Sequence, residues 1–209
     1  VYSADTSFTW SVSDALGTID EDGTFTAVQT GRDVTGTLTV TYGETSCTLP
    51  VTVGSSQPFD DTKGHWAESY ITELYYAGTL QGSEKNGKLY YRPDASMTRQ
   101  EFIVAMMRYL GTDLSAYASV QLPFDDSGSI ASWAKSAMQA AYQLGYLTGS
   151  KTNGKLLAKP GSTISRQEAM TILSRTKDFA DADLNVLSAF SDSGRIADWA
   201  RTALAQMTQ

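Results

Sequence analysis

The sequence predicts a multidomain protein in which an N-terminal all-β part precedes a mainly α-helical bundle of repeated units. Three observations predict this fold class. Apolar and polar residues alternate with period two up to residue 54, as in strands with one solvated face. A short break of small and polar residues follows. From residue 59 onward the sequence repeats itself with apolar residues at helical spacing, and such repeats indicate units that pack against one another.

The N-terminal part, residues 1–54, is predicted to be a partial β-sandwich. Its two clearest strands are residues 37–42 and 47–53, in which apolar and polar side chains alternate. Residues 8–12 and 23–27 are predicted as two shorter strands. Because each strand has one apolar side, we expect them to bury that side in a common core.

This part resembles a bacterial immunoglobulin-like domain. The resemblance rests on Gly-Thr-Phe-Thr-Ala at residues 23–27, followed by Gly-Thr-Leu-Thr-Val-Thr-Tyr at residues 36–42. An immunoglobulin-like sandwich has about 100 residues. The resemblance therefore implies that residues 1–54 hold the C-terminal part of such a domain.

The negative charge is concentrated at the N-terminal end. Residues 1–56 contain seven acidic residues and one basic residue, whereas residues 57–209 contain 16 acidic and 15 basic residues. Neither part is basic enough to predict nucleic-acid binding, and no apolar run is long enough to predict membrane insertion. The single cysteine, Cys47, excludes an internal disulfide.

Residues 55–58 are predicted to be a linker, and the internal repeat begins directly after them. Each repeat opens with phenylalanine and aspartate and places a tryptophan a few residues later. The three tryptophans are 67 and 66 residues apart, and in the first two repeats an arginine follows its tryptophan by 33 residues. That offset predicts a third arginine beyond residue 209, so we expect the third repeat to be truncated. The predicted boundaries are 59–122 for the first repeat, 123–188 for the second and 189–209 for the start of the third.

Each repeat is predicted to be a helix, a loop and a second helix. The loops carry Asn86-Gly87 and Asn153-Gly154, a pair that favours a tight turn between short strands. The second helices begin at Thr98 and Ser165. A single unit of this kind cannot bury its own apolar faces, so we expect three units to pack as a pseudo-threefold bundle.

The repeats resemble the S-layer homology domain. The resemblance rests on the Phe-x-Asp start, Trp-Ala in the first helix, the glycine-containing loop and the Thr-Arg-x-Glu motif of the second helix, and it covers residues 59–209. It implies a module that holds a secreted protein non-covalently on the cell surface of a bacterium. The implied partner is secondary cell-wall polysaccharide, anionic and bearing pyruvate, bound in grooves between neighbouring repeats.

The start of each second helix has features of a cap and of an anion site. Thr98 with Glu101, and Ser165 with Glu168, predict capping boxes. A cation in the first turn of a helix is unfavourable by about 0.3–1 kcal/mol, so capping leaves the adjacent arginines unexplained. We therefore predict that Arg99 and Arg166 bind a carboxylate of the wall polysaccharide. The alternative is that each arginine reaches a carboxylate of a neighbouring repeat, such as an aspartate of the Phe-Asp-Asp motif.

Four further residues are candidate contacts to the polysaccharide. Lys88 and Lys155 lie in the loops, where the alternative is an ordinary solvated surface. Trp66 and Trp133 offer flat apolar faces for stacking on sugar rings, and their alternative is a place in the core. The paired aspartates of the Phe-Asp-Asp motif are predicted to cap helices, because no spaced acidic loop for calcium follows them.

No catalytic motif occurs, so we predict that the chain is not an enzyme and has neither a cofactor nor a metal site. Two other functions remain open. As alternatives to polysaccharide anchoring, the chain would be a surface module that binds another protein, or a non-catalytic fragment of a larger cell-surface hydrolase. The sequence does not specify the activity of the full-length protein, the wall sugar or the oligomeric state.

Overall fold

The structure is a computed structural model that describes residues 7–208. The chain divides into two compact units between Asp94 and Ala95. This division lies inside the first predicted repeat, between its loop and its second helix. The domain boundaries predicted from the sequence stay predictions.

The first unit begins with five antiparallel strands. A three-stranded sheet contains β1 (Thr9–Val12), β4 (Val34–Tyr42) and β5 (Thr45–Val53), with β4 in the centre. A separate hairpin pairs β2 (Gly17–Ile19) with β3 (Phe25–Ala27). The four predicted strands are therefore confirmed; the two long ones begin earlier than predicted, at Val34 and Thr45, and the two short ones begin later, at Thr9 and Phe25. An immunoglobulin-like sandwich stays a prediction.

The sheet has one apolar side and one threonine-rich side because its register keeps like residues opposite each other. Leu38 pairs with Leu49, and Thr39 pairs with Thr48, whose hydroxyl oxygen lies 2.9 Å from that of Thr39. Leu16, fully buried, packs near Gly36, where a Cβ atom would lie 3.0 Å from the leucine side chain. The core of this part is consequently small.

The predicted linker is held by hydrogen bonds. The backbone N–H of Ser55 donates to Asp33 Oδ1 at 2.8 Å, and that of Ser56 donates to the carbonyl of Thr30 at 2.9 Å. The hydroxyl of Thr72 donates to Gln57 Oε1 at 3.0 Å. Residues 55–57 are thus tied on one side to the loop before β4 and on the other to the helix that contains Thr72.

The predicted order of helix, loop and helix is confirmed in both full repeats. The first repeat contains α1 (Glu68–Tyr76), the hairpin of β6 (Ser83–Lys85) and β7 (Lys88–Tyr90), and α2 (Arg99–Tyr109). The second contains α3 (Lys135–Gln143), β8 (Ser150–Thr152), β9 (Lys155–Leu157) and α4 (Arg166–Ser174). Residues 189–209, here called the third segment, contribute α5 (Asp198–Gln206).

The hairpins turn at the predicted Asn-Gly pairs. Asn86 and Gly87 have φ values of 54° and 75°, and Asn153 and Gly154 have values of 50° and 78°. A two-residue turn of type I′ needs a positive φ at both positions, which glycine and asparagine adopt most readily. This local conformation sets the register of each hairpin.

A further residue with left-handed backbone conformation follows each hairpin, Arg92 (φ 61°) in the first repeat and Lys159 (φ 53°) in the second. The two oxygens of Asp126 accept the backbone N–H groups of Ala158 and Lys159, both at 2.8 Å. Asp61 accepts the corresponding pair in the first repeat. The prediction that these aspartates cap helices is therefore wrong. Their carboxylates instead satisfy two consecutive N–H groups that the left-handed turn directs to the same side.

The core of the second unit lies where α2 packs on α3. Ile103 and Met107 of α2 are fully buried together with Met138 of α3. Three alanines of α3, Ala137, Ala140 and Ala141, are also buried, and their small side chains allow the close approach of neighbouring elements. The pseudo-threefold arrangement stays a prediction.

Candidate functional site

Both predicted capping boxes are present. Glu101 Oε2 accepts the backbone N–H of Thr98 at 2.7 Å, and the Thr98 hydroxyl accepts the N–H of Glu101 at 3.4 Å. Glu168 and Ser165 make the same two hydrogen bonds at 2.9 and 3.3 Å. These bonds satisfy backbone donors that would otherwise lack partners at the start of a helix.

Arg99 lies between the two repeats and is engaged by protein. Its Nη1 donates to Glu168 Oε1 at 2.8 Å, and its Nε donates to the carbonyl of Ala158 at 3.0 Å. Only 12% of its side chain is exposed. The neighbouring-carboxylate alternative thus describes Arg99, but the carboxylate belongs to a capping glutamate and not to a Phe-Asp-Asp motif. A ligand contact by Arg99 stays a prediction.

The backbone at the start of α2 is also occupied. The N–H of Arg99 donates to the carbonyl of Ser162 at 2.9 Å, and the N–H of Gln100 donates to that of Pro160 at 3.0 Å. The chain that follows β9 therefore covers this helix start. An anion over α2 would have to displace these carbonyls.

The ion pair shifts the titration of Glu168. Partial burial raises the pKa of this carboxyl. The hydrogen bonds from Ser165 and the positive charges of Arg99 and Lys159 lower the pKa, and together they outweigh the burial, so the net pKa lies below its ordinary value. Glu168 accordingly stays ionised and serves two functions. One oxygen caps α4, and the other binds Arg99.

Arg166 occupies the equivalent position in α4 but has different surroundings. It is exposed, and no residue of the described chain forms a hydrogen bond or ion pair with its side chain. It borders a cavity of about 330 Å³ between α4 and the third segment. The other lining residues are Ser165, Gln167, Met170, Leu187, Phe190, Asp192, Arg195, Ile196, Leu204 and Thr208.

A glutamine fastens each second helix to the following segment. Gln100 Oε1 accepts the N–H of Ala131 at 3.0 Å, and Gln167 Oε1 accepts the N–H of Ala197, also at 3.0 Å. Sequence reasoning missed both residues. The repetition of glutamine inside the Thr-Arg-Gln-Glu and Ser-Arg-Gln-Glu motifs is the feature that would have found them.

The comparisons with known proteins agree with the repeated geometry. Residues 58–103 and 123–170 match the S-layer homology domain family. The chain contains two S-layer homology repeats. These repeats indicate a bacterial cell-surface location, and the match confirms the resemblance of both segments to this family.

Relatives with such repeats include enzymes and a surface-layer protein. An endoglucanase of Bacillus sp. (strain KSM-635) is 31% identical over 151 residues, which are 70% of this chain and 15% of that protein. Exoglucanase XynX of Acetivibrio thermocellus is 33% identical over 119 residues, 55% of this chain and 10% of that protein.

The surface-layer 125 kDa protein of Lysinibacillus sphaericus is 32% identical over 129 residues, 59% of this chain and 10% of that protein. The chain therefore spans only a small part of each of these relatives. No solved structure matches the chain.

The tryptophans of the two S-layer homology repeats and of the third segment are exposed. Trp66 is 82% exposed, and Trp133 and Trp199 are each 57% exposed. The core alternative is wrong for Trp66 and Trp133, because more than half of each side chain is exposed, while other residues such as Ile71 of α1 and Met138 of α3 are buried.

The two loop lysines differ. Lys88 donates to Asp60 Oδ2, and this hydrogen bond together with the aspartate charge raises the pKa of Lys88. Lys155 is exposed and has no partner among residues 7–208. A surface ion pair such as that of Lys88 contributes little to stability.

The predicted site residues are consequently dispersed. Arg99 and Glu168 lie together at the junction of the two S-layer homology repeats, whereas Arg166 borders the cavity between α4 and the third segment; Ser165 bonds Glu168 and also lines that cavity. Residues 7–208 contain no cluster of three or more histidine, cysteine, aspartate or glutamate side chains suited to a metal ion. None of the helices in that range has the length and hydrophobicity that a transmembrane span requires.

Proposed function

We propose that this chain anchors a secreted protein non-covalently to the bacterial cell wall by binding secondary cell-wall polysaccharide. The observation that carries the proposal is the cavity beside Arg166, at the junction between the second S-layer homology repeat and the third segment. Its volume lies near the lower end of the range of about 300–1,000 Å³ for small-molecule sites. It suits one short portion of a polymer.

The lining of the cavity suits an acidic sugar. Arg166 supplies a guanidinium group, which binds a carboxylate through two parallel hydrogen bonds. Phe190 and Ile196 supply apolar surface for the face of a sugar ring. A carboxylate substituent such as ketal-linked pyruvate would combine both requirements, and we propose a polymer of this type.

The remaining candidate residues fit the proposal to different degrees. Trp66, Trp133 and Lys155 are exposed and are proposed as additional polysaccharide contacts outside the cavity. Lys88 would first have to leave Asp60. For Arg99 we propose a mainly structural role, because its guanidinium group already has two protein acceptors.

The anchored cargo is a separate question. Because the relatives include an endoglucanase, an exoglucanase and a surface-layer protein, the same repeats accompany different activities. We propose that residues 1–209 are a non-catalytic part of a larger cell-surface protein, and that a hydrolase is one such cargo.

The test uses the 209-residue chain and cell-wall sacculi. Sacculi that carry their polysaccharide should retain the chain, sacculi stripped chemically of polysaccharide should not, and free polysaccharide should compete. The variant Arg166→Gln should be retained less, whereas Lys177→Gln, which removes an equal charge at an exposed position outside the cavity, should behave like the parent. Equal retention by intact and stripped sacculi would contradict the proposal and favour a protein or peptidoglycan partner.

A further inference from the structure

We infer that Arg195 is a specificity-determining residue that selects acidic polysaccharide at the junction between the second repeat and the third segment. This inference rests on the proposed function. Arg195 and Arg166 border the same cavity, although one belongs to the third segment and the other to α4. An anion between them receives two guanidinium groups instead of one.

The arginine at position 195 is not required by the local fold. Ser127–Ser129 and Ser193–Arg195 form the same short 3₁₀ helix, and Ile130 and Ile196 follow with φ values of −73° and −72°. The equivalent residue at the junction between the first and second repeats, here called the earlier junction, is Ser129. Because a serine stands in the equivalent 3₁₀ helix, the arginine side chain at position 195 is not needed to form this turn.

The cavity holds more positive than negative charge. Among its lining residues are two arginines and one aspartate, Asp192. No ion pair or side-chain hydrogen bond within the described chain engages Arg166 or Arg195. Two cationic forks without protein acceptors beside an apolar wall form a site for a carboxylate-bearing sugar and not for a neutral one.

The junction between the first and second repeats has neither a motif arginine without a protein acceptor nor an arginine at the position equivalent to Arg195. There the arginine of the motif, Arg99, binds Glu168 and the carbonyl of Ala158, and the residue equivalent to Arg195 is the neutral Ser129. The two junctions therefore differ in what they offer an anion. Acidic polysaccharide is bound at the junction that contains Arg166 and Arg195, so each protein chain has one binding site for it.

The experiment compares Arg195→Ser, which installs the residue of the earlier junction, with the control Lys177→Ser, which removes the same charge elsewhere. Isothermal titration calorimetry is run with purified wall polysaccharide and with the same polymer after its carboxylates are converted to neutral amides. Thermal unfolding of each variant is measured in parallel.

We expect Arg195→Ser to lower the affinity for the acidic polymer about tenfold to a hundredfold, the effect of losing a charge-assisted hydrogen bond. Its affinity for the amidated polymer should equal that of the parent, and Lys177→Ser should bind both polymers like the parent. If the parent binds acidic polymer and Arg195→Ser, still folded, binds it equally well, the inference is overturned while the anchoring function stands. Equal affinity of the parent for the two polymers also overturns it. Failure of the parent to bind either polymer instead removes the proposed function.

Discussion

Arg99 of the first repeat donates a 2.8 Å hydrogen bond to Glu168, the residue that caps the second helix of the next repeat. One glutamate thus joins helix capping to contact between repeats. Arg166 occupies the same place in its own motif and faces a cavity. The two arginines are identical in local sequence and differ in what their side chains meet.

This difference predicts that two matched substitutions affect different properties, one the stability and the other the binding. Arg99→Gln should lower the free energy of unfolding by about 1–3 kcal/mol, because it leaves Glu168 and the Ala158 carbonyl short of a partner. Arg166→Gln should leave stability unchanged and weaken binding to acidic wall polysaccharide. Chemical denaturation and calorimetric titration of both variants measure the two effects. A stable Arg99→Gln variant that has lost binding would reverse the roles assigned to the arginines.

Removal of the capping hydroxyls should affect stability more than binding. Thr98→Ala and Ser165→Ala should each lower the free energy of unfolding by about 1 kcal/mol, the usual effect of losing an N-cap. Ser132→Ala is the control, since this exposed serine makes no capping bond. Urea denaturation of the three variants gives the comparison, and equal effects in all three would show that the capping bonds contribute nothing.

The lowered pKa of Glu168 predicts a pH dependence with a definite sign. Its folded-state pKa lies below the unfolded value of about 4.3, so the stability that Glu168 contributes is full above that value and is lost as the pH falls through the folded pKa. The variant Glu168→Gln should be less stable than the parent at pH 7. The difference should shrink as the pH falls below about 4. The free energy of unfolding of both proteins, measured across this pH range, tests the prediction. A difference between them that does not change with pH would contradict it.

Asp126 should stabilise the left-handed turn at Lys159. Asp126→Ala leaves two backbone N–H groups without their acceptors, one of them on the fully buried Ala158, and should lower the free energy of unfolding by about 1–3 kcal/mol. Asp181→Ala, at an exposed position, should have little effect. Thermal unfolding of the pair tests the role, and an unaffected Asp126→Ala variant would contradict it.

The exposed tryptophans permit a test of sugar stacking without disturbing the fold. Trp66→Ala should change the free energy of unfolding by less than about 1 kcal/mol, whereas truncation of a core tryptophan costs about 3–5 kcal/mol. If Trp66 contacts polysaccharide, the variant should bind it more weakly. Titration with purified polysaccharide decides this, and unchanged affinity would remove Trp66 from the proposed contacts.

Several features of the fold follow from the sequence because they depend on residues a few positions apart. The capping box of Thr98 and Glu101 spans three residues, and the Asn86-Gly87 turn needs only two that tolerate positive φ. The same local patterns recur about 67 residues later, which makes the repeat and its order of elements readable from the sequence.

The tertiary structure alone decided which polar groups those elements meet. Asp61 and Asp126 accept hydrogen bonds from backbone about 30 residues away, and Arg99 reaches a glutamate 69 residues away. No periodicity reports such partners, because an ion pair depends on the distance between side chains in space and not on their separation in sequence. The identical motifs of Arg99 and Arg166 therefore acquire different surroundings only when the neighbouring segments pack, one covering its arginine with protein and the other leaving it beside a cavity.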